Sequence, residues 1–176
     1  AGVTQDAVGP GQRHVYRFVV EDAGTYWYHS HQASHQQVRG GLFGALIVRP
    51  ASSTAVAGTV DVVAPVHTYS GRRTIAGRTG EQHVAVPAGA TARVRLIATD
   101  NGPLRTWVSG APFRVVAVDG HDVNGPGLVE EKTLVVGAGG RADLAIVVPP
   151  VGDAARVDVG GKTALILGPK GSQVAA

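Results

Sequence analysis

The chain has 176 residues, of which 44% are hydrophobic and 16% are charged, and its net charge is +3 at pH 7. This balance excludes a disordered protein, which needs high charge and low apolar content, and the scattered basic residues do not make the clustered positive surface that binds nucleic acid. The absence of Cys excludes a disulfide scaffold and a thiolate metal site, and no apolar run approaches the roughly 20 residues that span a bilayer.

Short β-strands are predicted along the whole chain, because apolar residues recur at every second position rather than at helical spacing. The first two predicted strands are His14–Val20 and, after a turn at Gly24, Thr25–Tyr28. One helical turn is predicted at Ser34–Arg39. The remaining predicted strands are Leu42–Val48, Thr91–Ala98, Phe113–Val118, Thr133–Val136, Ala142–Val148 and Ala164–Leu167. Many short strands separated by turn sequences are typical of a β-sandwich or barrel.

A break in composition divides the chain in two. Residues 51–58 are small and poor in large apolar side chains, which predicts a linker or a long loop. Residues 1–50 supply only three or four strands, too few for a closed sandwich, and are expected to be the C-terminal half of a domain. Residues 59–176 are numerous enough for one complete domain.

The chemically distinctive segment is Tyr26–His31, which contains the pair His29 and His31. Residues two apart on a strand point the same way, so both imidazoles are expected on one face, with Cα atoms about 6.5 Å apart. This spacing suits two ligands that each hold one metal of a close pair, and imidazole favours copper, zinc, iron or nickel. Strict alternation places Trp27 on the same face, as a wall of the site, and leaves Ser30 as a spacer. A histidine pair that binds no metal is the alternative.

The other polar residues carry no comparable pattern. His35 is interpreted as a polar loop residue. Arg93, Arg95 and Arg141 alternate with apolar residues on predicted strands and are interpreted as the outward face of a sheet. Four further histidines are interpreted as surface or turn residues: His14, His67, His83 and His121.

Two parts of the sequence resemble the multicopper oxidase family, whose laccase-like members have three cupredoxin domains. Gly24–His31 followed by Gly41–Val48 is similar to the end of the first cupredoxin domain. Ala92–Ala98, Phe113–Gly120 and Gly139–Asp143 are similar to the middle domain. The resemblance implies an all-β fold of cupredoxin-like Greek-key β-sandwiches: one partial domain at 1–50 and one near-complete domain without metal at 59–176.

The resemblance also implies that His29 and His31 are ligands of the type 3 copper pair within a trinuclear cluster, with no catalytic residue beyond the metal ligands. The complete enzyme would couple one-electron oxidation of a reducing small-molecule or metal-ion substrate to the four-electron reduction of dioxygen to water. Members of the family are commonly exported, which implies an extracytoplasmic or secreted protein.

The chain departs from the family pattern by what it lacks. It contains one His-X-His motif, no Cys and no Met, so it has no electron-entry copper site of the family's type. The remaining copper ligands are expected from the rest of the oxidase, namely an N-terminal half-domain and a C-terminal domain, and the segment alone is expected to be inactive. A two-domain nitrite reductase also needs the missing Cys. The alternative is a non-catalytic cupredoxin-like β-sandwich that serves as a binding or scaffold module.

Overall fold

The computed structural model describes residues 6–50, 58–150 and 152–174, and these ranges are almost entirely β. They contain a two-stranded sheet near the start and two larger sheets after residue 58. No helix within them is both long and apolar enough to cross a membrane. The predicted linker at 51–58 lies outside the described residues except for Gly58. The division of the chain into domains at this point stays a prediction.

The first part is a hairpin with a helix in its connection: β1 (Gly24–His29), α1 (Ser34–Arg39) and β2 (Phe43–Val48). β1 and β2 pair antiparallel, and the register sets His29 opposite Phe43. The predicted helical turn is confirmed at the predicted bounds, and both predicted strands are confirmed to within one residue at each end. We refer to these three elements as the hairpin.

The turn predicted at Gly24 is wrong, because Gly24 is the first residue of β1. A Cβ atom placed on Gly24 would lie 2.4 Å from the carbonyl oxygen of Gly120 and 2.8 Å from its Cα atom. Glycine is therefore needed here for the close approach of two backbones. The hairpin packs directly against the second part of the chain.

The strand predicted at His14–Val20 is also wrong, because the structure has no strand there. Both faces of the segment are open to solvent, with Phe18 67% and Val19 87% exposed. Alternating apolar residues form a stable strand only where a neighbouring strand pairs with the backbone and a packed surface covers one face. None of the described strands pairs with this segment.

The second part is a sandwich of two sheets, whose strands follow in spatial order. The first sheet contains β4 (Arg72–Ile75), β3 (Thr59–Tyr69), β6 (Thr91–Ala98), β11 (Arg141–Val147), β8 (Phe113–Val118) and β9 (His121–Asp122). The second sheet contains β10 (Leu134–Val136), β7 (Leu104–Ser109), β12 (Asp153–Asp158), β13 (Ala164–Gly168) and β5 (Glu81–Ala85), and β14 (Gln173–Val174) pairs with β12. Most neighbours are antiparallel, whereas β3 with β6, β13 with β5 and β12 with β14 are parallel.

The hydrophobic core lies between the two sheets. Along β6, Val94 and Leu96 are fully buried in this core, and Arg93 and Arg95, which alternate with them, lie on the other side of the sheet. Burial of each large apolar side chain contributes about 1.5–3 kcal/mol. Large members of the core are Phe113, Ile75, Leu104, Leu144, Ile146 and Leu167. The predicted all-β sandwich is confirmed.

The longest strand, β3, is not among the predicted strands. Pro65 interrupts its apolar pattern, and a proline usually argues against a strand inside a sheet. In the structure, Pro65 lies one residue before the pairing with β4 begins at Val66. The strand thus has a neighbour on both sides only after its proline.

Candidate metal centre

The two histidines predicted as metal ligands lie side by side at the end of β1. His29 is the last residue of the strand, and His31 follows just beyond it. The two ring centroids are 4.8 Å apart, and the ring planes are inclined by 22°. His29 is half-buried and His31 is exposed. The structure therefore brings both residues of the motif together in one stack.

The ring of His29 is oriented by the backbone of its neighbour. Its Nδ1 atom lies 3.0 Å from the carbonyl oxygen of Ser30. Because a carbonyl only accepts, this contact favours the tautomer with hydrogen on Nδ1, which leaves the lone pair of Nε2 for a metal ion. A second nitrogen held in this way is usual for metal-binding histidines, and neutral imidazole suits copper. The donor set fits the metal that the resemblance implies.

Ser30 does more than separate the histidines, so its interpretation as a spacer is wrong. Its hydroxyl hydrogen-bonds to the side-chain oxygen of Gln37 on α1 and lies 3.2 Å from the carbonyl oxygen of Gln32. Its backbone N–H donates to the carbonyl of Leu42 at 3.3 Å. These contacts fix the segment between the two histidines to α1 and to the start of β2.

Trp27 continues the stack on the other side of His29. The ring centroids of Trp27 and His29 are 4.2 Å apart, with the planes inclined by 23°. Strand alternation predicted this placement correctly. The indole N–H of Trp27 donates to the carbonyl oxygen of Gly139 at 3.1 Å, which lies in the turn before β11. The side chain that covers one face of His29 is thus hydrogen-bonded to the sandwich.

Within the described ranges, no group of three or more His, Cys, Asp or Glu side chains could hold a metal ion. The histidine pair contributes two donors of its own. A complete copper centre at this place therefore requires further ligands in addition to the pair.

The other histidines contribute no donor to this site. His35 lies on α1 rather than in a loop, and its Nδ1 contacts the side-chain nitrogen of Asn101. It is exposed, as a polar surface residue would be. Three histidines are exposed, in agreement with their interpretation as surface or turn residues: His14, His83 and His121.

His67 was expected at the surface, and this expectation is wrong, because the residue is only 2% exposed. Its Nδ1 atom lies 2.9 Å from the Thr99 hydroxyl and 3.1 Å from a carboxylate oxygen of Asp100. Its ring centroid lies 4.9 Å from that of Phe43 in β2. His67 is therefore a buried part of the contact between the hairpin and the sandwich, which no local sequence pattern revealed.

A polar cluster, which we call the polar seam, joins β1 to the first sheet: Thr25, Arg95 and Asp143 are buried, whereas Arg93 is half-buried and Asp61 is exposed. One oxygen of Asp143 accepts hydrogen bonds from the Thr25 hydroxyl at 3.0 Å, from Arg93 at 2.9 Å and from Arg95 at 2.9 Å. Arg95 also pairs with Asp61, with Nε and Oδ1 2.6 Å apart. The side chains of Arg93 and Arg95 point away from the sandwich core, as predicted. Arg95 is nevertheless buried, because the hairpin covers it.

Arg141 ties the same two parts together beside the seam. Its guanidinium donates to the carbonyl oxygens of Thr25 at 3.1 Å, Gly139 at 3.2 Å and Asp119 at 3.0 Å. Its central carbon lies 5.8 Å from the centroid of the Tyr26 ring, within the range of a cation–π contact. The sandwich thus holds β1 at three successive residues, through the carbonyl and hydroxyl of Thr25, the ring of Tyr26 and the indole N–H of Trp27.

Comparison with known proteins places these features in a family context. Residues 1–53 match the family model described as multicopper oxidase. The chain is 55% identical over 49 residues to Multicopper oxidase MCE of Talaromyces pinophilus. It is 50% identical over 50 residues to an L-ascorbate oxidase of Cucumis sativus. Each match covers 28% of this chain and 8% of the relative.

The fold is similar to solved multicopper oxidase structures over nearly the whole chain. The multi-copper oxidase from Pseudomonas thermotolerans matches with a TM-score of 0.79 and 28% identity, covering 96% of this chain and 45% of that one. Blue Copper Oxidase from Nitrosomonas europaea, at 21% identity, matches with a TM-score of 0.79 over 97% of this chain and 63% of that one. The resemblance to multicopper oxidases and the cupredoxin-like fold are confirmed. The chain spans less than two thirds of each of these proteins.

Proposed function

We propose that this chain is part of a multicopper oxidase, in which His29 and His31 bind the two copper ions of a type 3 pair. The family match and the related oxidases support a copper-dependent oxidoreductase as the whole protein. The observation that carries the assignment of the histidines is the stacked arrangement of their rings.

The ring geometry favours two metal ions over one. The lone pair of an imidazole nitrogen lies in the plane of its ring. The planes of His29 and His31 are nearly parallel, and their centroids are 4.8 Å apart. An ion in the plane of one ring therefore lies well outside the plane of the other. Each ring suits an ion of its own, and the two ions would be close neighbours.

Copper, when bound, would supply the electron transfer by which dioxygen is reduced to water with four electrons from a reducing small-molecule or metal-ion substrate. The residues of this chain would bind the copper ions and orient the rings that bind them. His29 presents Nε2 because its Nδ1 is engaged by the carbonyl of Ser30. Trp27 covers one face of His29 and keeps water from that face. The remaining ligands and the electron-entry copper belong to other parts of the oxidase, so the segment alone is proposed to be inactive.

Substitution of the pair tests this function. In the full-length oxidase, His29→Ala combined with His31→Ala should remove two copper equivalents per protein and abolish dioxygen consumption, because each ion loses a ligand. His83→Ala is the matched control, since His83 is an exposed strand histidine on the second sheet. Metal analysis and an oxygen electrode give the two readings. A double variant that keeps its copper and its oxidase activity contradicts the assignment.

A non-catalytic binding or scaffold module is the second candidate. It is favoured by one observation, that no third metal-binding side chain joins the pair in the described ranges. A module of this kind would consume no dioxygen in the full-length protein with copper and a reducing substrate present. We also propose, from the family resemblance, that the protein acts outside the cytoplasm.

A further inference from the structure

We propose that Trp27 is a positioning residue through which the sandwich sets the orientation of His29. This inference rests on the proposed function of the histidine pair. The inference concerns the link between the hairpin and the sandwich. The ring that stacks on His29, a proposed copper ligand, donates a hydrogen bond to a backbone group of the sandwich 112 residues away in the sequence.

The anchor of Trp27 is a carbonyl group in a well-fixed turn. Gly139 has a φ angle of 72°, a left-handed conformation that glycine adopts without strain. Its N–H donates to the carbonyl of Ala98 at 2.8 Å, and the next residue, Gly140, donates to the carbonyl of Gly137 at 2.9 Å. The carbonyl oxygen that accepts from Trp27 also accepts from Arg141 at 3.2 Å. A backbone group held in this way moves less than a side-chain acceptor would.

The indole is also held at its edge. Phe43 meets Trp27 edge to face, with centroids 6.2 Å apart and planes inclined by 75°. Phe43 in turn packs on His67, which is buried in the sandwich. The hydrogen bond to Gly139 and the contact with Phe43 therefore fix both the position and the tilt of the indole. The stack transmits this tilt to His29.

Fixed orientation matters because a metal site loses affinity when the groups around its ligands are removed. Such outer partners typically contribute 10–100-fold in metal affinity or activity. The ring of His29 has three contacts among the described residues: the carbonyl of Ser30 at Nδ1, the face of Trp27 and the face of His31. The contact with Trp27 is the one that depends on the position of the sandwich, because the indole is hydrogen-bonded to Gly139.

The test removes the N–H of Trp27 and keeps an aromatic ring. In Trp27→Phe, a ring remains to stack on His29, but the bond to Gly139 is lost. The matched control is Trp107→Phe, which changes the other tryptophan of the chain, 41% exposed on β7. Cu²⁺ is added to the 176-residue chain, and selective broadening of the imidazole NMR signals measures binding at each histidine. The metal-free ring shifts of His29 give a reading that does not depend on copper.

We expect Trp27→Phe to require about 10-fold more Cu²⁺ to broaden His29, at the lower end of the range for outer partners, and to shift the metal-free ring signals of His29. Trp107→Phe should stay within about twofold of the unmodified chain. Equal broadening in the unmodified chain and in Trp27→Phe overturns the inference. If Trp27→Phe does not fold, benzothienylalanine at position 27, which replaces the N–H with sulfur in a ring of the same shape, is held to the same two outcomes.

The same experiment separates this inference from the function on which it rests. Cu²⁺ that broadens the exposed His83 but neither His29 nor His31 in the unmodified chain contradicts the proposed ligand role itself, because even without the further ligands each imidazole of the pair should bind Cu²⁺ at least as well as a single surface histidine. Broadening of both histidines, unchanged by loss of the indole N–H, leaves the ligand role standing and rejects the positioning role of Trp27.

Discussion

The substitution Asp143→Asn tests the polar seam, because it removes one charge and preserves the shape of the side chain. Asp143 is 1% exposed, and its Oδ2 atom lies 2.7 Å from Arg93 Nη2 and 2.9 Å from Arg95 Nη1. Removing one member of a buried ion pair typically costs about 3–5 kcal/mol, since the partner charge is left uncompensated. Arg95 retains Asp61, so we expect a loss near the lower end, about 3 kcal/mol.

That loss corresponds to a readily measured change in melting temperature. For a chain of this size, 1 kcal/mol shifts Tm by about 2–4 °C, so Asp143→Asn should lower Tm by about 6–12 °C. Asp122→Asn is the matched control, because Asp122 faces the same Arg93 at 3.8 Å but is 86% exposed. An exposed pair contributes at most about 1 kcal/mol. Circular dichroism melts that agree within 2 °C for the two variants would refute the reasoning.

Two further substitutions probe the interface and the core. Gly24→Ala should lower the free energy of unfolding by about 1–3 kcal/mol, because the new Cβ atom would lie 2.4 Å from the carbonyl oxygen of Gly120. Urea unfolding should show this loss. Gly102→Ala is the control and should lose almost nothing, because its added carbon meets no neighbouring atom within 4 Å. Leu144→Ala should cost about 2–5 kcal/mol through a core cavity, since Leu144 is fully buried. Leu128→Ala, at a side chain 54% exposed, should melt close to the unmodified chain, and equal losses for the two leucines would contradict the placement of the core.

Much of the fold could be predicted where the pattern is local. α1 and the strand Phe113–Val118 are confirmed at their predicted bounds, because alternation and turn residues act within a few positions. The prediction of a strand at His14–Val20 is wrong, because a strand depends on a non-local partner as well as on its own sequence. Its alternation is clear, but a strand needs a neighbouring strand, and the pattern carries no information about which one.

The candidate site also combines features that a local pattern predicts with contacts that it does not. The pair His29 and His31 and the placement of Trp27 follow from a period of two along one strand. The contacts that hold them do not, because Trp27 reaches Gly139 across 112 positions and Thr25 reaches Asp143 across 118. Such contacts depend on how two parts of the chain dock. A short sequence window contains no signal for that docking.

The polar seam has a consequence for recombination between related proteins. A crossover within residues 51–57 looks harmless from composition, yet it would separate Thr25 from Asp143, Arg93 and Arg95. A chimera that takes the hairpin from one parent and the sandwich from another keeps the seam only if the first parent supplies the hydroxyl of Thr25 and the second supplies the carboxylate of Asp143 with its two arginines. The two halves are therefore expected to be inherited together, as a unit larger than either sheet.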